Sequence, residues 1–60
     1  MKLLILTASV DKRIDTKDEI DEFFRKNYSI IDDNSKLTLA ICSESQFSKG
    51  EYVLTAHYQV

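Results

Sequence analysis

Cys42 and His57 are the two residues whose types could together carry out nucleophilic chemistry. A thiol nucleophile needs a nearby base, and imidazole is a common one. If the last two predicted strands turn through Lys49-Gly50 as a two-residue hairpin loop, Cys42 and His57 become cross-strand neighbours. Catalysis would also need an orienting carboxylate, such as Glu44, and an oxyanion site, for which no Gly-rich turn is placed. We therefore expect a small apolar cysteine and a surface histidine, and predict no catalytic residue.

Two other polar clusters contain residue types that can bind a calcium ion or a phosphate. Asp32-Asp33-Asn34 lacks the alternate spacing and the closing bidentate Glu of a calcium loop, so it predicts a turn. Lys12, Arg13 and Lys17 precede or begin a predicted helix, where a phosphate could bind. Acidic residues flank all three, and no Gly-rich loop accompanies them. We predict no cofactor, no metal and no nucleic-acid partner.

The predicted helix that follows Thr16 is the element that the sequence pattern indicates most clearly. Thr16-Lys17-Asp18-Glu19 is a capping box, in which the Thr16 hydroxyl accepts from the Glu19 amide and the Glu19 carboxylate reaches back to the Thr16 amide. Ile20, Phe23 and Phe24 follow at i, i+3 and i+4 and share one face. We expect the helix to stop near Asn27.

Three strands complete the prediction, at about residues 2–10, 36–46 and 51–60, with a loop over 28–35 anchored by Ile30 and Ile31. The register set by a Lys49-Gly50 hairpin, or one shifted by two residues, separates an apolar face from a more polar one in the last two strands. The apolar face would hold Leu37, Leu39, Ile41, Phe47, Tyr52, Leu54, Ala56, Tyr58 and Val60. The expected core consists of Ile20, Phe23, Phe24, Leu39, Ile41 and Leu54.

The element order predicts a single α+β domain over residues 1–60 with a β-α-β-β topology. One helix would pack on a three-stranded sheet of order 1-3-2, half of a ferredoxin-like unit, because that order makes every pairing antiparallel. Order 1-2-3 is the alternative.

The run Leu3-Leu4-Ile5-Leu6 is the strongest indication of a partner. Consecutive side chains of a strand point to opposite faces, so this strand is apolar on both. Leu4, Leu6, Ala8 and Val10 would meet the helix, leaving Leu3 and Ile5 on the other face near Ala40 or Val53. A chain of 60 residues buries only about 60% of the surface that its unfolded form exposes, and association is a common remedy. We predict a homodimer with Leu3, Ile5, Ala40 and Val53 as interaction residues.

The composition narrows the class of protein. With 43% hydrophobic residues and a net charge of −2, the sequence predicts a globular domain without general affinity for phosphate backbones. No segment approaches the roughly 18 apolar residues of a membrane span, and we expect Met1 to Val10 to be a strand rather than a secretion signal. One cysteine favours a reducing cytoplasm.

We therefore predict a small cytoplasmic, dimerising protein-interaction module, an accessory or inhibitory protein without catalysis. The alternative is a minimal enzyme or ligand binder with a pocket at a subunit interface near Cys42 and His57.

Overall fold

A computed structural model describes residues 2–60 as one helix packed on a three-stranded sheet. The elements are β1 (Leu3–Val10), α1 (Lys17–Asn27), β2 (Lys36–Glu44) and β3 (Tyr52–Gln59). The sheet order is β1-β3-β2 and both pairings are antiparallel. This confirms the predicted α+β class, the β-α-β-β topology and the order 1-3-2.

Helix α1 begins where the capping box predicts. Thr16 is the N-cap in an extended conformation, and its Oγ1 accepts a hydrogen bond from the Glu19 amide at 3.2 Å. The Glu19 carboxylate accepts from the Thr16 hydroxyl at 2.9 Å, rather than from the Thr16 amide as expected. The last helical residue is Asn27, whose side-chain amide donates to the Phe23 carbonyl at 2.8 Å.

Replacing Thr16 with alanine should lower the free energy of unfolding by about 0.5–2 kcal/mol, because the Glu19 amide loses its acceptor. Urea denaturation followed by circular dichroism measures the change. Thr16→Ser keeps the hydroxyl and should restore most of the loss. Equal destabilisation by serine and alanine would show that the cap contributes nothing.

The core lies between α1 and the helix-facing side of the sheet. Its buried members are Ile20, Phe24, Ile31, Leu54, Ala56 and Tyr58. Leu4, Leu6, Ala8 and Val10 of β1 pack against this cluster, as predicted. Phe23 is only partly buried, and of the two isoleucines expected to anchor the loop, Ile31 is buried whereas Ile30 is exposed.

The predicted register of the β2–β3 hairpin is wrong. Ser45, not Ser48, pairs with Glu51, its amide donating to the Glu51 carbonyl at 2.9 Å. The loop therefore spans 46–50 instead of Lys49-Gly50 alone. Gly50 has a φ of +86°, a left-handed conformation that suits glycine. A shift of three residues is odd, so it exchanges the two faces of β2.

The exchange moves predicted core residues out of the core. Leu39 and Ile41 are exposed, whereas Ala40 and Cys42 pack against the core. Phe47, in the loop, and Val60, after the end of β3, were expected on the apolar face and are exposed as well. Leu37 remains on the predicted side because a bulge between Leu37 and Leu39 shifts the register once more. Small side chains under α1 fit its position, since the helix lies closest to β2.

Candidate interaction surface

The side of the sheet turned away from α1, called here the open face, receives side chains from all three strands. By register these are Leu3, Ile5, Thr7 and Ser9 of β1, Lys36, Leu39, Ile41 and Ser43 of β2, and Val53, Thr55, His57 and Gln59 of β3. The helix cannot cover them, because it packs on the opposite side. The open face is therefore the surface on which the apolar residues of the outer strands remain in water.

Large aliphatic side chains flank the open face on both outer strands. Leu3 and Ile5 on β1 are 59% and 56% exposed, and Leu39 and Ile41 on β2 are 37% and 47% exposed. The middle strand between them contributes half-buried Val53, Thr55 and His57. The register places His57 between Ile5 and Leu39, and Thr55 beside Ile41, so the aliphatic side chains form one pair on each outer strand. Large exposed aliphatic side chains gathered on one face are typical of a contact with another macromolecule.

The structure places three of the four sequence-predicted interaction residues on the open face. Leu3, Ile5 and Val53 are there, whereas Ala40 is on the helix-facing side and packs against the core. The placement of Ala40 was wrong because the hairpin register differs by an odd number of residues. Sequence reasoning missed Leu39 and Ile41 for the same reason. The signal that could have found them is the small size of Ala40 and Cys42, which suits the crowded side of the strand.

The outer edge of β1 adjoins this face. Lys2 and Val60 exchange both backbone hydrogen bonds, at 3.0 and 2.9 Å. Bonding alternates along an antiparallel ladder, so the N–H and C=O groups of Leu3, Ile5 and the other odd-numbered residues of β1 point away from β3. Within the described sheet no strand pairs with that edge. An apolar edge with free backbone groups can accept another strand.

Cys42 and His57 do not form the pair that the predicted register implied. Cys42 lies opposite Leu54 on the helix-facing side, and His57 lies opposite Leu39 on the open face. The two side chains are therefore separated by the sheet itself. Within one chain this geometry provides no nucleophile and base in contact.

Each polar cluster that the sequence pointed to forms hydrogen bonds or ion pairs within itself. Asp32 Oδ1 accepts from the Asn34 amide at 2.9 Å and from the Ser35 hydroxyl at 3.1 Å, which closes the predicted turn. Arg13 Nε pairs with Asp15 Oδ1 at 2.8 Å. Among residues 2–60 no group of three or more His, Cys, Asp or Glu side chains is arranged to hold a metal ion.

Phe47 is the most exposed large apolar side chain outside the open face, at 96%. It lies in the β2–β3 loop, where the Ser45 hydroxyl oxygen accepts from the amides of Phe47 and Ser48 at 3.1 and 3.3 Å. The Glu51 amide donates to the Ser48 carbonyl at 3.3 Å and closes the loop. These bonds fix the backbone of the loop at the tip of the hairpin, and the Phe47 ring lies in water.

Comparison of the chain with protein-family models, with curated proteins and with solved structures found no match. Helix α1, the single helix formed by the described residues, has 11 residues and is too short and too polar to cross a bilayer.

Proposed function

We propose that this protein is a small protein-interaction module that acts in the cytoplasm as a two-fold homodimer and has no catalytic role of its own. The observation that carries the proposal is the open face, where Leu3, Ile5, Leu39 and Ile41 are exposed on the two outer strands. Covering these side chains removes apolar surface from water, which is the main driving force of protein association.

A second copy of the chain is the occupant that fits the open face best. By strand register, the ionisable side chains that the strands place on this face are those of His57 and Lys36. The face therefore carries little charge, and a partner surface with little charge can cover it. Another open face meets that requirement and supplies matching aliphatic side chains. A patch that contacts its own copy closes most simply as a two-fold dimer.

The size of the open face indicates a weak dimer. Strands of about eight residues at about 3.3 Å per residue, spaced about 4.8 Å apart, give a footprint on the order of 400 Å². Stable interfaces bury about 800 Å² of accessible surface per partner. Completing the burial of a half-exposed Leu or Ile contributes about 1 kcal/mol. Eight such side chains in a dimer therefore give a gain comparable with the ~4–15 kcal/mol cost of association. We expect a dissociation constant that is micromolar or weaker.

The role in binding another protein rests on Phe47. Aromatic side chains contribute strongly to the energetics of protein interfaces, and the Ser45 hydroxyl fixes the backbone that carries this one at the hairpin tip. The tip lies beyond the end of β2, so a dimer formed through the open face leaves Phe47 available. This arrangement favours an accessory or inhibitory protein that presents one aromatic ring from each subunit.

Light scattering or sedimentation of the wild-type protein should give twice the monomer mass of 6.9 kDa as the concentration rises through the micromolar range. Ile41→Asp should weaken the dimer at least ~100-fold, because the dimer would then bury two carboxylates that lie opposite Thr55 rather than a cation. Ile5→Asp should weaken the dimer less, because its carboxylate lies opposite His57. Ile30→Asp is the matched control, since Ile30 is equally exposed but lies outside the sheet.

The same variants separate face-to-face packing from strand pairing at the β1 edge. Pairing of two β1 edges depends on the backbone of β1 and leaves Ile41, on the far strand, in water. A dimer that survives Ile41→Asp would therefore favour the edge geometry. A folded wild-type chain that stays monomeric up to millimolar concentration would refute the dimer altogether.

A further inference from the structure

His57 is at the centre of the open face. It lies on the middle strand β3, opposite Ile5 on one side and Leu39 on the other. The only hydrogen bond to this residue from a side chain in the described residues comes from the Thr38 hydroxyl and ends on the His57 backbone carbonyl, at 3.1 Å. The imidazole ring therefore stands among aliphatic side chains with one side open to water.

The charged groups around this ring are few. Among the described residues, strand register places Lys36 on the same face, opposite Gln59 and thus two residues along β3 from His57. Asp11 and Glu51 lie beyond the strands at the other end, about 20 Å away for Glu51 at ~3.3 Å per residue. The acidic side chains of α1 are behind the sheet. Within one chain, the charged side chain nearest the imidazole on this face is therefore that of Lys36, a cation.

We infer that protonation of His57 dissociates the dimer, which makes the open face an acid-sensitive contact. This inference rests on the proposed dimer. A two-fold contact through the open face puts both β3 strands, and both imidazoles, into one apolar interface. Burying an imidazolium without a carboxylate partner is unfavourable, whereas the separated subunits leave the charged ring in water.

The sign and size of the effect follow from proton linkage. The separated subunits bind up to two more protons than the dimer, so lowering the pH favours dissociation. Imidazoles ordinarily titrate between about pH 5 and 8. As the pH falls through that range, the dissociation constant should rise with a limiting slope of two protons, about 100-fold per pH unit.

The test is the dissociation constant measured by sedimentation at about pH 7.5 and about pH 5.5, with circular dichroism confirming the fold at both. We expect the wild-type dimer to be at least ~10-fold weaker at the lower pH. His57→Gln and His57→Leu cannot take up the proton. Whatever affinity each variant has at the higher pH, its dissociation constant should stay the same at the lower one. Two variants are used because either substitution can change the contact itself.

Each contrary outcome has a distinct meaning. A wild-type dimer with equal dissociation constants at both pH values refutes the acid-sensitive contact and leaves the dimer standing. A wild-type chain that is monomeric at both values and at all concentrations refutes both proposals. A dimer of either variant that weakens at low pH as the wild type does assigns the effect to another group and also refutes the inference.

Discussion

Phe24→Ala should lower the free energy of unfolding by about 3–5 kcal/mol, the largest effect of any single substitution considered for this chain. Phe24 is fully buried, and its ring packs edge-on against Phe23 and at a tilt against Tyr28, with centroids 5.3 and 5.5 Å apart. Truncation leaves a cavity between α1 and the sheet that so small a domain cannot refill. At about 0.05–0.15 kcal/mol per residue, a chain of 60 residues has a stability of about 3–9 kcal/mol, so the variant should lose a large part of it.

Phe47→Ala is the matched control for this measurement. It removes the same atoms from a ring that is in water, so its free energy of unfolding should stay within about 0.5 kcal/mol of the wild type. Urea denaturation monitored by circular dichroism compares the two variants directly. A Phe24→Ala protein as stable as Phe47→Ala would contradict the packing of α1 on the sheet.

The parts of this fold that could be predicted from the sequence depend on local signals. The cap at Thr16 and the spacing of Ile20 and Phe24 fix where α1 begins and which side it buries. The alternation of β1 likewise separates Leu4 and Leu6 from Leu3 and Ile5 without reference to any other strand. Each of these features involves residues no more than a few positions apart, and each is confirmed.

The parts that could not be predicted depend on which residues meet across the sheet. Lys49-Gly50 has the composition of a tight turn, yet the Ser45 hydroxyl accepts two amides and closes a longer loop. The bulge at Thr38 then adds a second change of register. The longer loop places Leu39 and Ile41, not Ala40, on the open face, and the bulge returns Leu37 to the helix-facing side.

A cluster of hydrogen bonds around Arg25 is a third such feature, because most of its bonds join residues that are far apart in the sequence. Arg25 Nε bonds Asp21 Oδ1 at 2.9 Å, and its two terminal nitrogens donate to the carbonyls of Asp32 and Ser35 at 2.7 and 2.8 Å. The Tyr58 hydroxyl donates to the same Asp21 oxygen at 2.7 Å. Burial, and then the hydrogen bond to Asp21, raise the pKa of Tyr58 well above its ordinary value. The cluster joins α1, the loop 28–35 and β3.

Arg25→Ala should therefore lower the free energy of unfolding by about 2–4 kcal/mol, more than an exposed ion pair contributes. The substitution leaves two loop carbonyls without donors, removes the guanidinium 5.7 Å from the centre of the Tyr58 ring, and leaves the Asp21 charge without its cation. The loop from 28 to 35 should loosen first, which amide hydrogen exchange at Ser35 would report, since that amide donates to the Asp32 carbonyl.

Arg13→Ala is the control variant that separates the effect of an ion pair alone from the effect of the hydrogen bonds between Arg25 and the loop. Arg13 and Asp15 form an ion pair of almost the same length, 2.8 Å against 2.9 Å, but both side chains are mostly in water. Exposed pairs contribute about 0–1 kcal/mol, so this variant should unfold close to the wild type. Equal losses for Arg13→Ala and Arg25→Ala would mean that charge alone matters. A loss confined to Arg25→Ala would instead show that the hydrogen bonds from Arg25 to the backbone carbonyls of the loop stabilise its packing on α1.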